Sequence, residues 1–96
     1  MIGIIATFDV QDGKQAEFET VAKDLMAKVK ANEAGCLTYQ LYKQEGSDTV
    51  YLMMEQYASA QAVTEHTQAA YYKDLGPKLG PCLVSPPNIQ KFDIVE

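Results

Sequence analysis

The hydrophobic pattern of the chain begins as a strand and then becomes helical. An apolar run over residues 1–10 predicts a first β-strand, which the turn-forming residues 11–13 interrupt. From residue 14 to about residue 31, apolar residues recur three and four positions apart, with Lys and Glu on the opposite face. This spacing predicts an amphipathic helix. Asp12 and Gln15 are expected to form a capping box at its first turn, and Asn32 and Gly35 to end it.

The second half of the chain predicts a hairpin, a broken helical region and a last strand. Residues 36–44 and 49–57 read as strands joined by the turn residues 45–48. Ser59 can cap a helix that runs to about His66, and a further helical stretch spans 69–75 before Gly76 and Pro77 disrupt it. Residues 89–95 predict the final strand. This order predicts an α+β protein with a ferredoxin-like βαββαβ fold and an antiparallel sheet, in a single domain over residues 1–96.

Large side chains occupy both faces of the predicted hairpin. We expect one face to carry Leu37, Tyr39, Leu41, Val50, Leu52 and Met54. The other face would then carry Thr38, Gln40, Tyr42, Tyr51, Met53, Glu55 and Tyr57. Helices cover one face of such a sheet, and in a chain of 96 residues a second subunit is the expected cover for the other. The pattern therefore predicts a homodimer.

Charge and composition narrow the range of partners. The net charge is −5, and all eight cationic side chains are lysines. This balance disfavours binding to a nucleic-acid backbone, and the absence of arginine removes the bidentate clamp that often holds a phosphate. No apolar run approaches the ~20 residues of a membrane span, and the N-terminus lacks the basic leader of a signal peptide. We therefore expect a cytoplasmic protein that binds neither nucleic acid nor a membrane.

The residues with chemical potential are few. Cys36 and Cys82 are far apart, without metal-ligand spacing, and are expected to be buried free thiols. The chain has one histidine and no glycine-rich dinucleotide or phosphate loop. Neither a metal nor a cofactor is therefore expected.

The single histidine, His66, ends the predicted second helix on the same face as Ala62. Glu55 lies eleven residues earlier, on the sheet near the start of that helix. A buried carboxylate needs a partner, so Glu55 is expected to meet either His66 or a tyrosine hydroxyl. A Glu–His pair is a plausible proton acceptor, whereas a surface histidine or a hydrogen-bonded core histidine would be purely structural. The six tyrosines suit a pocket for a flat, oxygenated ligand and a dimer interface equally well.

Three segments resemble the antibiotic biosynthesis monooxygenase family of dimeric α+β barrels. They are GCLTYQLYKQ at 35–44, YLMMEQYASAQAVTEH at 51–66 and TQAAYYKDL at 67–75. The shared pattern is a glycine before an extended strand, a second strand that ends in Glu-x-aromatic, a serine-capped helix, and a histidine eleven residues after the glutamate. Together with the first strand and helix, the resemblance covers nearly the whole chain.

The resemblance implies an activity and a set of site residues. Members of this family pair sheet against sheet as homodimers and oxidise electron-rich phenols or quinols with O₂, without a metal or flavin. On this basis His66 is the expected base, Glu55 its orienting carboxylate and Tyr72 a hydrogen-bonding group of the pocket. The further residues expected to contact substrate are Tyr51, Met53, Tyr71 and Leu75.

Two positions depart from the family pattern. Many relatives carry a histidine where this chain has Tyr71, and haem-degrading relatives carry a ligating histidine near the position of Leu75 and Gly76. Haem ligation by that route is therefore excluded. Two alternatives to an oxygenase stay open: an isomerase that moves a proton on a small metabolite, phosphorylated or not, and a dimer that binds a small molecule without catalysis. The lack of arginine counts against a phosphorylated substrate.

Overall fold

The fold is built on a four-stranded antiparallel sheet. The computed structural model describes all 96 residues, Met1–Glu96. The elements are β1 (Ile2–Asp9), α1 (Gln15–Asn32), β2 (Cys36–Lys43), β3 (Val50–Tyr57), α2 (Ala60–Gln68), α3 (Ala70–Leu79), a 3₁₀ turn (Gly80–Cys82) and β4 (Asn88–Asp93). The strand order is β2-β3-β1-β4, and all neighbours are antiparallel. The predicted ferredoxin-like α+β fold is confirmed.

The core lies between the sheet and α1. Phe18 is fully buried on this helix, and its ring lies 5.2 Å from that of Phe8 on β1 and 5.0 Å from that of Tyr51 on β3. The apolar positions of α1 that face the sheet are all buried: Phe18, Ala22, Leu25 and Val29. They match the apolar stripe that the helical repeat predicts. Burial of this stripe against the sheet stabilises the helix.

The start of α1 differs from the predicted capping box. Lys14 is the N-cap residue, and no side chain caps the helix. Asp12 and Gln15 bond instead to each other, through Gln15 Nε2 and Asp12 Oδ1 at 2.9 Å, while Gln15 Oε1 accepts from the backbone N–H of Gly13 at 2.7 Å. The two side chains therefore stabilise the preceding turn, where Gly13 has a positive φ of 94°. In contrast, Ser59 caps α2 as predicted and accepts from the N–H of Ala62.

Helix α3 runs further than its sequence predicts. It continues through Gly76 and Pro77 to Leu79, so the predicted break at these residues is wrong. Gly76 has no Cβ to clash with the proline ring, which reduces the usual penalty at the residue before proline. Leu75 and Leu79 are both buried on the inner face of the helix. Their burial offsets the loss of one backbone hydrogen bond at Pro77.

The predicted division of the hairpin faces is wrong. In the observed register Tyr39 lies opposite Glu55 and Leu41 lies opposite Met53. Residues directly opposite each other share a face, so Tyr39 and Leu41 join Glu55 and Met53 beneath the helices. An irregularity between Cys36 and Thr38 leaves Leu37 exposed.

The sheet face away from the helices is open in the single chain. It carries the exposed large side chains Tyr42, Met54 and Phe92, together with the half-buried Ile5 and Leu52. No helix of the protein combines the length and apolar character required to cross a bilayer.

Candidate functional site

The site is centred on His66, which the fold buries between α2 and the sheet. Ser59 sets the start of α2, and Ala62 and His66 lie one helical turn apart on its inner face. His66 is only 4% exposed to solvent. A buried imidazole needs a partner for its ring N–H, so its surroundings determine its chemistry.

The partner of His66 is Glu33, a residue that the sequence analysis did not single out. Both carboxylate oxygens of Glu33 lie close to Nδ1 of His66, Oε1 at 3.0 Å and Oε2 at 3.1 Å. The hydroxyl of Tyr71 donates to the same carboxylate. In the neutral ring this contact assigns the proton to Nδ1 and leaves a lone pair on Nε2. Glu33 is therefore the carboxylate that orients His66.

The position of Glu33 depends on a close approach of backbone segments. Glu33 is the C-cap residue of α1, and two residues later Gly35 passes against α2. A Cβ at Gly35 would lie 2.7 Å from the Cβ of Ala62, so glycine is what permits this distance. A carboxylate at the C-terminal end of a helix is opposed by the helix dipole. That unfavourable position is the signal in the sequence that could have indicated a role for Glu33.

Glu55 is buried and lines the same cavity but makes no hydrogen bond to His66. Its Oε1 accepts a hydrogen bond from the Tyr57 hydroxyl at 2.6 Å, so of the two predicted partners it has the tyrosine. The expectation that Glu55 orients His66 is corrected, because it is the carboxylate of Glu33 that contacts Nδ1. Burial is the main cause that raises the pKa of Glu55 to about 7, the charge of Glu33 adds to it, and the Tyr57 hydrogen bond opposes it. Glu55 is thus able to carry a proton near neutral pH.

Three tyrosine rings surround the imidazole. The ring centroids of Tyr72, Tyr39 and Tyr57 lie 4.6, 5.1 and 5.5 Å from that of His66. Burial is the first cause that raises the pKa of each of these phenols, so they stay protonated and act as hydrogen-bond donors. The hydroxyls of Tyr39 and Tyr72 have no hydrogen-bond partner within the chain. Every fully buried polar side-chain atom does have a partner, so these two hydroxyl oxygens are not fully buried. These two hydroxyls are therefore accessible to a ligand.

A cavity of about 670 Å³ opens beside these side chains. His66, Glu55, Tyr39 and Tyr72 line one part of it, and the rest is mainly apolar. Its apolar lining comes from both layers of the fold: Ile4, Ala6, Phe8, Leu79, Leu83 and Ile89. The volume lies within the usual range for small-molecule pockets. Since Nδ1 of His66 is held by Glu33, Nε2 is the ring atom left to meet a molecule in this cavity.

The four residues expected to contact substrate lie elsewhere. Met53 and Leu75 belong to the apolar core, and Tyr51 is buried against Phe18 with its hydroxyl donating to Glu19 at 2.5 Å. None of these three lines the cavity. Tyr71 is also absent from the lining and acts on the site through its bond to Glu33.

The two cysteines lie outside the chemistry of the cavity. Both are free; Cys82 is buried, whereas Cys36 is only partly buried. Burial is the main cause that raises the pKa of each thiol to about 11. Neither is therefore a thiolate near neutral pH, and neither is suited to nucleophilic attack.

Comparison with known proteins identifies the family. The family model for antibiotic biosynthesis monooxygenases matches residues 1–77. The chain belongs to the antibiotic biosynthesis monooxygenase family. A crystal structure from Caulobacter crescentus, of a protein presumed to be an antibiotic biosynthesis monooxygenase, is 47% identical, with a TM-score of 0.95 over 99% of this chain and 90% of that chain.

Curated relatives in this family are more distant. YcnE of Bacillus subtilis, a presumed monooxygenase by its name, is 25% identical over all of both chains. The uncharacterised protein sll1783 of Synechocystis is 25% identical over 99% of this chain. The chain spans 64% of the length of sll1783. At this identity the two relatives show likeness to the chain, and the family assignment rests on the family model.

Proposed function

We propose that the protein is an oxygenase that oxidises a flat, electron-rich phenol or quinol with O₂ and requires neither a metal nor a flavin. The observation that carries this proposal is the Glu33–His66 pair at one end of a largely apolar cavity. A carboxylate on Nδ1–H fixes the tautomer and the orientation of the ring, so that the lone pair of Nε2 is available to accept a proton in the cavity. The apolar walls suit fused rings, and the free hydroxyls of Tyr39 and Tyr72 suit the oxygen atoms of the ligand.

The first chemical step is proton transfer. His66 Nε2 removes the proton from a ring hydroxyl, and Glu33 stabilises the imidazolium that forms. The hydroxyls of Tyr39 and Tyr72 donate to the resulting phenolate, whose negative charge makes the ring a strong enough reductant to react with O₂. The role of the protein is to hold this anion away from water.

The second step incorporates oxygen. The anion gives electrons to O₂, and one oxygen atom forms a bond to a ring carbon that carries a hydrogen atom. The peroxide that results takes a proton from Glu55. Loss of the C–H proton then breaks the O–O bond and leaves a carbonyl on the ring. The second oxygen atom departs as water with the proton returned by His66. Written for the keto form of the phenol, the net reaction converts one CH₂ group and O₂ into a C=O group and H₂O. Glu55 recovers its proton from the C–H bond that breaks.

The experiment that tests this proposal is oxygen uptake with a panel of naphthols, anthrols and benzoquinols. We expect uptake with at least one fused-ring phenol, and we expect it to persist after chelation and without added flavin. Uptake abolished by the chelator would contradict the cofactor-independent mechanism. Turnover of a substrate without uptake would favour an isomerase, because His66 as base and Glu55 as proton donor on one cavity can also move a proton.

The proposed enzyme works as a homodimer formed through the open face of the sheet. This face carries Tyr42 and Phe92, exposed at 48% and 46%, with Met54 and Ile5 between them on the central strands. An apolar sheet face without a covering layer is poorly stable in water, and a second copy supplies that layer. Sedimentation at micromolar concentration should therefore give twice the mass of one chain. A Met54→Lys variant, which puts a charge on this face, should shift the equilibrium towards single chains. Glu65→Lys on the exposed side of α2 is the control and should not. A stable wild-type monomer would contradict the dimer.

A further inference from the structure

The cavity has two cationic side chains at its solvent-exposed edge. Five of the eight lysines pair with carboxylates elsewhere on the surface. Of the other three, Lys73 on α3 and Lys91 on β4 both line the cavity, and both are exposed. Lys73 donates only to the neutral Gln68 side chain, at 3.0 Å. In a chain with a net charge of −5, these two ammonium groups lack an anionic partner within the chain.

The sheet register fixes the backbone distance between Lys91 and Glu55. Lys91 lies opposite Ile4, Ile4 lies opposite Glu55, and Glu55 lies opposite Tyr39, so these residues form one row across the sheet. Neighbouring strands are about 4.8 Å apart, which puts the backbone of Lys91 about 10 Å from that of Glu55. The row spans the floor of the cavity from its exposed edge at β4 to the buried carboxyl.

The charges at the two ends are opposite, which orients a ligand. At the inner end, the charge of Glu33 disfavours a permanently anionic group, whereas His66 accepts a proton from a neutral hydroxyl. At the outer end, Lys73 and Lys91 attract an anion in a region that is only partly desolvated. A neutral hydroxyl is therefore favoured near His66, and an acidic group is favoured near β4.

We propose that the ligand is a flat fused-ring molecule that carries an acidic group, a carboxylate or a phosphate, about 10 Å from the hydroxyl that reacts. Lys91 and Lys73 bind the acidic group, and the apolar walls bind the rings between the two ends. This inference rests on the proposed function for the assignment of the hydroxyl to His66.

Equilibrium binding to the intact protein tests this inference, because it does not depend on O₂. The probes are 6-hydroxy-2-naphthoate, with its carboxylate far from the hydroxyl, 3-hydroxy-2-naphthoate, with the two groups adjacent, and 2-naphthol, without an acid. A fourth probe, the monophosphate of 2,6-dihydroxynaphthalene, distinguishes phosphate from carboxylate. Their intrinsic fluorescence reports binding. We expect the two probes with distant acids to bind about fivefold more tightly than 2-naphthol, and the tighter of the two identifies the acid.

The lysine variants assign the effect to the cavity edge. Lys91→Met should weaken binding of 6-hydroxy-2-naphthoate about fivefold and leave 2-naphthol unchanged, and Lys73→Met should act in the same direction. Lys30→Met is the matched control, since Lys30 is also without a carboxylate partner but lies outside this cavity. Equal binding of acidic and neutral probes, or no response to either variant, would overturn the inference even if oxygen uptake is observed. Lysine-dependent binding without oxygen uptake would support it and contradict the oxygenase function.

Discussion

Replacing His66 with alanine should lower the turnover number by about 10²–10⁴-fold, the usual effect of removing a general base. The reason is that Nε2 of His66 is the basic atom that Glu33 orients towards the cavity, while the surrounding tyrosines have raised pKa values and stay protonated. Glu55 lies on the same cavity, but with its raised pKa it is partly protonated near neutral pH and its hydrogen bond is to Tyr57. The measurement is the initial rate of oxygen uptake by wild type and variant at saturating substrate.

A second variant separates loss of the base from loss of structure. His66→Gln retains an amide N–H able to donate to Glu33, yet it cannot take up a proton, so its turnover should fall as far as that of His66→Ala. Both variants should remain dimeric by sedimentation, since His66 lies on the helix side of the sheet, away from the open face. Variants that are folded and as fast as wild type would remove His66 from the mechanism.

The wild-type protein should lose stability relative to Glu55→Gln as the pH rises from about 4 to about 8. Folding raises the pKa of Glu55 from its ordinary value of 4.5 to about 7. Below pH 4.5 both states hold the proton; between pH 4.5 and about 7 the unfolded chain releases it while the folded protein keeps it, so stability falls. Above about pH 7 the full cost applies, about 3 kcal/mol, because each tenfold change in proton affinity corresponds to about 1.4 kcal/mol.

Urea denaturation at fixed protein concentration measures this difference. Glutamine keeps an oxygen able to accept the hydrogen bond from Tyr57, and it never ionises. The free energy of unfolding of Glu55→Gln should therefore exceed that of wild type by an amount that grows as the pH rises from about 4 to about 8. The other titratable groups around the cavity are present in both proteins and largely cancel: Glu33, His66, Tyr39, Tyr57, Tyr72, Lys73 and Lys91. Glu65→Gln, an exposed change on α2, is the control and should show no such growth. A difference between wild type and Glu55→Gln that is constant with pH would show that folding does not raise the pKa of Glu55.

The sequence predicts local features of this fold well. The order of the strands and helices, the buried stripe of α1 and the serine cap of α2 all follow from the spacing and type of nearby residues. These features depend on contacts within one element. The extension of α3 through Pro77 was missed because burial of Leu79 outweighs a local signal.

The faces of the hairpin and the partner of His66 depend on non-local geometry. Whether Tyr39 shares a face with Glu55 or with Met54 is set by the register of the turn, and a slip of one residue reverses every side chain of a strand. Glu33 and His66 are 33 residues apart and meet because Gly35 allows the end of α1 to approach α2. The resemblance to the family singled out His66, Glu55 and Tyr72, which all line the cavity, but not the carboxylate on Nδ1.

The central claim is that O₂ itself oxidises a phenol in the cavity beside His66. The most direct test is a reaction under ¹⁸O₂ with chelator present and no flavin, followed by mass spectrometry of the product. The mechanism predicts one ¹⁸O atom in the new carbonyl group, with wild type forming product about 10²–10⁴-fold faster than His66→Ala. A product that carries oxygen from water instead, or whose rate of formation is the same with both proteins, would contradict it.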